Sequence, residues 1–158
     1  MSEITPESFT QRIAQITADI AGRPVDSTLQ DYLNEHFPAD GELFRQIERD
    51  CLQAEADGWM CQHEHGGIRY GRVIKPGEAT HGFSVDVVRM RDVQGPHHRH
   101  PNGEIDMVMP TDGEAEFDGQ PAGWKVYAAG SAHHPTVSKG EALVLYLLPD
   151  GAIEFTRG

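Results

Sequence analysis

The sequence predicts a mainly β domain preceded by an α-helical segment, and three observations carry that prediction. Apolar residues recur at helical spacing from Phe9 to Cys51. From Trp59 the texture changes to short runs broken by glycine every eight to twelve residues or so, the pattern of an all-β barrel or sandwich. The run Ala142 to Leu148 is apolar on both faces of a strand, so its outside needs a cover, either the N-terminal helices or a second subunit. We therefore divide the chain into a helical extension, residues 1–58, and a β domain, residues 59–158.

The elements follow in order. Thr5 suits a helix cap, Pro6 the first helical position, and Glu7 the positive end of the helix dipole. Phe9, Ile13, Ile16 and Ile20 form one face, and Gly22 with Pro24 ends the helix. A second helix starts at Asp26 or Ser27, buries Leu29, Leu33 and Phe37, and stops at Pro38. A third starts near Asp40, aligns Phe44, Ile47 and Cys51, and ends at Gly58. In the β domain Ile68, Tyr70, Arg72 and Ile74 share one parity, and His81 shares a face with Phe83, Val85 and Val87. Glu104, Asp106 and Val108 alternate onto a common face, and Asp112-Gly113 reads as a hairpin turn. Trp124 to Tyr127, Ala142 to Leu148 and Ala152 to Phe155 complete the expected strands.

Composition narrows the function. The 158 residues suit one domain, and a net charge of −12 argues against a nucleic-acid partner, which needs clustered Lys and Arg. No apolar run approaches membrane-spanning length, and Met1-Ser2-Glu3-Ile4 lacks the basic and apolar texture of a signal peptide. The two cysteines, Cys51 and Cys61, form no metal-ligand spacing. The expectation is a cytoplasmic protein. Surplus apolar surface suggests a homodimer or higher homo-oligomer.

The chemistry concentrates in Gly95-Pro96-His97-His98-Arg99-His100-Pro101-Asn102-Gly103-Glu104. In a strand His98 and His100 point one way, and His97 and Arg99 the other. Pro-Asn-Gly then turns the chain, so Glu104 returns beside the two imidazoles. Two imidazoles and a carboxylate on one point suit a divalent transition metal. A fourth ligand is suggested by Gly130-Ser131-Ala132-His133.

His-x-His, three residues, Glu, and later Gly-x-x-His together resemble the two signature motifs of the cupin superfamily. The resemblance implies a double-stranded β-helix, a jelly-roll barrel, with His98, His100, Glu104 and His133 as metal ligands. Asp92 and Ala128 stand where that pattern usually has glycine and proline.

More narrowly, Tyr70-Gly71-Arg72-Val73-Ile74-Lys75-Pro76-Gly77, Thr80 to Val88, Gly95-Pro96-His97-His98 with His100 to Asp106, and Tyr146-Leu147-Leu148-Pro149 resemble the 4-hydroxylaminobenzoate lyases. That resemblance implies conversion of 4-hydroxylaminobenzoate to 3,4-dihydroxybenzoate with release of ammonium. The overall reaction is redox-neutral and needs no nucleotide cofactor. The donor set admits Fe, Mn, Ni or Zn. Arg72 and Tyr70 are the candidates for binding the small aromatic acid, Arg72 through its carboxylate, with a structurally paired arginine as the alternative. His81 and Asp106 are the candidates for moving protons. Two other functions fit the same ligands: an Fe(II) dioxygenase acting on a small aromatic acid, and a non-enzymatic cupin that binds a small ligand.

Overall fold

The computed structural model describes residues 4–112 and 114–156. Gly113, half of the expected hairpin turn, and Met1, Ser2 and Glu3 lie outside the described residues. Three helices come first: α1 (Pro6–Ile20), α2 (Ser27–His36) and α3 (Glu42–Ala56). Thr5 caps α1 in a reciprocal box with Ser8, whose backbone N donates to Thr5 Oγ1 at 3.1 Å while Thr5 N donates to Ser8 Oγ at 3.0 Å. Asp26 caps α2 by accepting from Thr28 N and Leu29 N.

Among the described residues ten strands follow, in two antiparallel sheets. The larger contains β1 (His63–His65), β2 (Ile68–Ile74), β3 (Phe83–Gln94), β5 (Glu104–Pro110), β7 (Gly123–Tyr127) and β9 (Thr136–Pro149), in the order β1-β2-β3-β9-β5-β7, with β6 (Glu116–Phe117) paired to β9. The smaller holds β10 (Glu154–Phe155), β4 (His98–His100) and β8 (Ser131–His133), in that order. This is the expected jelly-roll architecture behind a helical segment. α2 finishes one edge of the larger sheet. Asn34 bonds both Trp124 N (2.9 Å) and Trp124 O (3.0 Å), and Gln30 Oε1 accepts from Val126 N at 2.8 Å. These outward backbone groups of β7 thus have partners although no further strand lies beside them.

The larger sheet is covered on both faces. Phe83, Val85 and Val87 of β3, Ile105 and Met107 of β5, and Leu143, Leu145 and Leu147 of β9 meet the apolar stripes of the three helices. The helices, one of the two covers considered for the apolar β9, therefore provide it. On the opposite face Met90, Val108, Val144, Tyr146 and Leu148 form a second cluster inside the barrel.

This two-sided cover corrects one expectation. β3 begins at Phe83, so His81 is not part of it. His81 closes the short 3-10 turn Glu78–Thr80 with a left-handed backbone (φ 55°), is exposed, and places Nδ1 2.9 Å from Thr17 Oγ1 of α1. The apolar side with which it was grouped faces the helices, and the barrel interior receives the other parity, Ser84, Asp86, Val88 and Met90. His63 and His65 belong to the exposed edge strand β1.

Candidate metal centre

Local backbone chemistry brings the ligand residues together. β4 holds His98 and His100 on one face, both buried. The Pro-Asn-Gly turn reverses the chain, and Gly103 takes φ 94°, where a Cβ would lie 2.7 Å from Val25 Cγ1 and 2.9 Å from Tyr127 O. Only glycine fits that corner. The His100 carbonyl accepts from Gly103 N (3.2 Å) and from Gly130 N (2.7 Å), tying both turns to the ligand strand. β8 then pairs with β4 so that His133 lies directly opposite His98.

One nitrogen from each of His98, His100 and His133 and one oxygen of Glu104 all lie within 4.8 Å of one another. Nε2 of His98 and of His100 are each 3.2 Å from Glu104 Oε1, and His133 Nε2 is 3.4 Å from Oε2. Two of these atoms, His100 Nε2 and Glu104 Oε2, are fully buried yet make no hydrogen bond of acceptable geometry. Orphaned donor atoms converging on one point are what a metal would satisfy, and three imidazoles with a carboxylate suit a divalent transition ion. The residues fit the group.

The imidazoles are steadied from behind. His100 Nδ1 lies 2.9 Å from Ser131 Oγ, and His133 Nδ1 lies 2.5 Å from Asp118 Oδ2. Asp118 also accepts from Thr136 N at 2.9 Å and from the Tyr127 hydroxyl. Such partners fix ring orientation and raise ligand basicity. Burial pulls the His133 imidazole down, but its interactions with the Asp118 and Glu104 carboxylates outweigh it and hold it up at about 9. Burial likewise pushes Glu104 up, and the three imidazoles more than reverse this, holding its carboxyl well below the usual range.

Asp106 shares the barrel-facing side of β5 with Glu104. It is fully buried, and both carboxyl oxygens are without a hydrogen-bond partner. Burial first, then the neighbouring Glu104 charge, push it well above the usual carboxylate range.

A cavity of about 460 Å³ opens beside His98. Its walls are apolar at Ile68, Val88, Met90, Pro135, Ile153 and Phe155, and Tyr70 and Arg72 also line it. Tyr70 sits at the rim, 41% exposed. Arg72 is already engaged: Nε donates to Asp86 Oδ1 (2.8 Å), and Nη2 to Asp86 Oδ2 (3.2 Å) and Gly151 O (3.1 Å). The structurally paired arginine of the sequence reading is thus present, with Nη1 left unbonded among the described residues. Asp86 pays for this position with a carboxyl pushed up by burial, only partly relieved by Arg72. His81 lines neither cavity nor cluster.

Four residues here had no role assigned from the sequence. Asp86, Tyr146 and Phe155 line the cavity, and Asp118 holds His133. A period-two count from Ser84 puts Asp86 with Val88 and Met90, and Asp86 pairs with Arg72 across β2 and β3. That register was the signal that could have found it.

Comparison with known proteins agrees with this architecture. A model of the family described as PnbB, 4-hydroxylaminobenzoate lyase, matches residues 11–155. A 4-hydroxylaminobenzoate lyase from Pseudomonas putida is 31% identical over 155 residues, covering 87% of this chain and 88% of that protein. A second, from Nocardioides sp. (strain LMS-CY), is 29% identical and covers 96% of this chain and 95% of its own. Among solved structures, one described under the DMSP lyases RdDddP and RnDddQII superposes with a TM-score of 0.52 at 15% identity, over 97% of this chain and 100% of that one, a likeness of fold. With the family match spanning nearly the whole chain, this protein belongs to the 4-hydroxylaminobenzoate lyase family.

Proposed function

We propose that this protein converts 4-hydroxylaminobenzoate and water to 3,4-dihydroxybenzoate and ammonia, with a divalent transition metal held by His98, His100, Glu104 and His133. The observation that carries the reading is the juxtaposition, in a chain of this family, of that buried donor set with an apolar cavity large enough for a benzene ring. The reaction balances without an external oxidant: the N–O bond breaks, the ring gains oxygen, and nitrogen leaves as ammonia. A bound divalent ion would supply Lewis acidity toward the hydroxylamine oxygen or toward water.

The chain's own residues do the rest. Apolar walls exclude water and hold the ring, with Phe155 5.9 Å from the His98 ring and facing solvent on its other side. Arg72 offers its free Nη1 to the substrate carboxylate at the cavity rim, a single arm in place of the two-armed fork, because Asp86 occupies the fork. Asp106, buried beside Glu104, is the candidate for accepting or returning a proton within the site.

The test is incubation of metal-loaded protein with 4-hydroxylaminobenzoate. Equal amounts of 3,4-dihydroxybenzoate and ammonium should appear, with no oxygen uptake and with loss of turnover after chelation. Oxygen consumption in step with product would replace the reading with a dioxygenase. Arg72→Ala should lower kcat/KM by roughly 1.5–3 kcal/mol, the range of a hydrogen bond to a charged group, while metal content stays unchanged. Equal loss with hydroxylaminobenzene, which lacks the carboxylate, would place the clamp elsewhere.

A further inference from the structure

Tyr146 differs from the buried Trp124 and the half-buried Tyr127 in its hydrogen bonding. Trp124 Nε1 donates to Phe37 O at 2.8 Å, and the Tyr127 hydroxyl donates to Asp118. Tyr146 is 5% exposed, and its hydroxyl makes no hydrogen bond among the described residues and is not one of the atoms sealed off without a partner, so it opens on the cavity that Tyr146 lines. Buried phenols ordinarily find a partner, because desolvating the hydroxyl is costly. β9 gives no local reason for a hydroxyl either: Ala142, Leu143, Val144, Leu145, Leu147 and Leu148 surround this position with apolar side chains, and phenylalanine would fill the same volume.

The position explains the hydroxyl. Tyr146 lines the cavity, and its ring lies 6.3 Å from the His98 ring. In register it stands between Asp86 of β3 and Asp106 of β5, so one row across the sheet reads Arg72, Asp86, Tyr146, Asp106. Arg72 marks the rim end of that row, and Asp106, next to Glu104, the metal end.

We propose that Tyr146 is a further catalytic residue, its phenol O–H donating a hydrogen bond to the hydroxylamino group of the substrate in the cavity beside His98. The proposal rests on the lyase reading above. Beside the ion-paired carboxylate of Asp86 a second anionic carboxylate is disfavoured, whereas the neutral hydroxylamino group brings lone pairs on nitrogen and oxygen that a phenol O–H can donate to. The substrate's carboxylate then points toward the rim, where Arg72 stands. Burial, together with the nearby carboxylates, pushes the phenol well above its ordinary value, so at neutral pH it keeps the proton it donates with.

The experiment is Tyr146→Phe in full-length, metal-loaded protein, assayed with 4-hydroxylaminobenzoate and with hydroxylaminobenzene. The variant should keep its metal content and its melting temperature, since the hydroxyl has no protein partner to lose. Turnover should fall by roughly 10- to 100-fold, by the same factor for both substrates, because both carry the hydroxylamino group. Wild-type turnover in Tyr146→Phe would overturn the assignment and leave the lyase reading intact. A loss confined to the carboxylate-bearing substrate would overturn it by moving the contact to the other end of the ring. A lowered melting temperature would do so by revealing a structural partner for the hydroxyl. Absence of turnover in the wild-type protein would overturn both readings.

Discussion

The two faces of the larger sheet are made by the same strands and both carry buried side chains, yet they solve the polar problem in opposite ways. On the helix side the charges are matched: Arg89 of β3 is held by Glu55 of α3 and by Glu141 of β9. On the barrel side Ser84 Oγ, Glu104 Oε2 and both oxygens of Asp106 are buried without hydrogen-bond partners, as is His100 Nε2 beside Glu104. Every buried orphan atom among the described residues thus lies within the barrel. One face is a core, completed by the chain itself. The other is arranged around something the chain does not supply.

Substitutions that separate the faces test this contrast. The largest effect belongs to the ligands. His98→Ala or His133→Ala should weaken metal binding by more than the roughly 10- to 100-fold expected for a group one layer behind a ligand. His97→Ala should not, because His97 packs on His134 at 4.8 Å and bonds Thr156. Elemental analysis of folded protein decides it, and full occupancy in both ligand variants would remove the metal centre. Next comes the helix face. Leu145→Ala opens a hole in the packed core and should cost about 2–5 kcal/mol in urea unfolding, leaving metal per folded molecule unchanged.

A further effect on the same side is set by pH and is absent at neutrality. Burial, reinforced by the charge of Glu55, pushes the Cys61 thiol from 9.0 to about 12. Between those values the unfolded thiol ionises while the folded one stays neutral, so its contribution to stability is present below the lower value and lost as pH rises. Cys61→Ala should therefore flatten the alkaline fall in stability by about 1.4 kcal/mol per pH unit across that window, measured by urea unfolding against wild type. An identical slope in the two proteins would show that the thiol is not desolvated. Smallest is Ser84→Ala on the barrel face: with no hydrogen bond to lose, it should shift stability by less than about 0.5 kcal/mol. A cost above about 1.5 kcal/mol would mean that the hydroxyl is already satisfied.

The same contrast explains what could be read from the sequence. Helix starts were legible because Thr5 and Asp26 bond within three residues of themselves. The proximity of His98, His100 and Glu104 was legible because one alternation and one turn produce it, and His133 followed from the family pattern. β3 runs on past Val87, the last of its residues grouped by parity, and its Arg89 is neutralised by Glu55 and Glu141, 34 and 52 residues away, with no local trace. The misplaced side chain, His81, has a different cause. Alternation shows which residues share a face, but not which neighbour that face meets. On a sheet covered twice, the more apolar side went to the helices and the mixed side, with Asp86 and Tyr146, to the cavity.

The clasp between α2 and β7 bears on how this protein meets other copies of itself. A sheet with a bare margin can be lengthened by any passing strand, the first step toward amyloid-like stacking. At the β7 margin the amide side chains of Asn34 and Gln30 already occupy the hydrogen-bonding positions that an incoming strand would need. The β1 margin has no such guard, but it is three residues long, exposed, and made of His63, Glu64 and His65, a short polar template. Losing Asn34 and Gln30 would therefore cost this protein more in solubility than in folding.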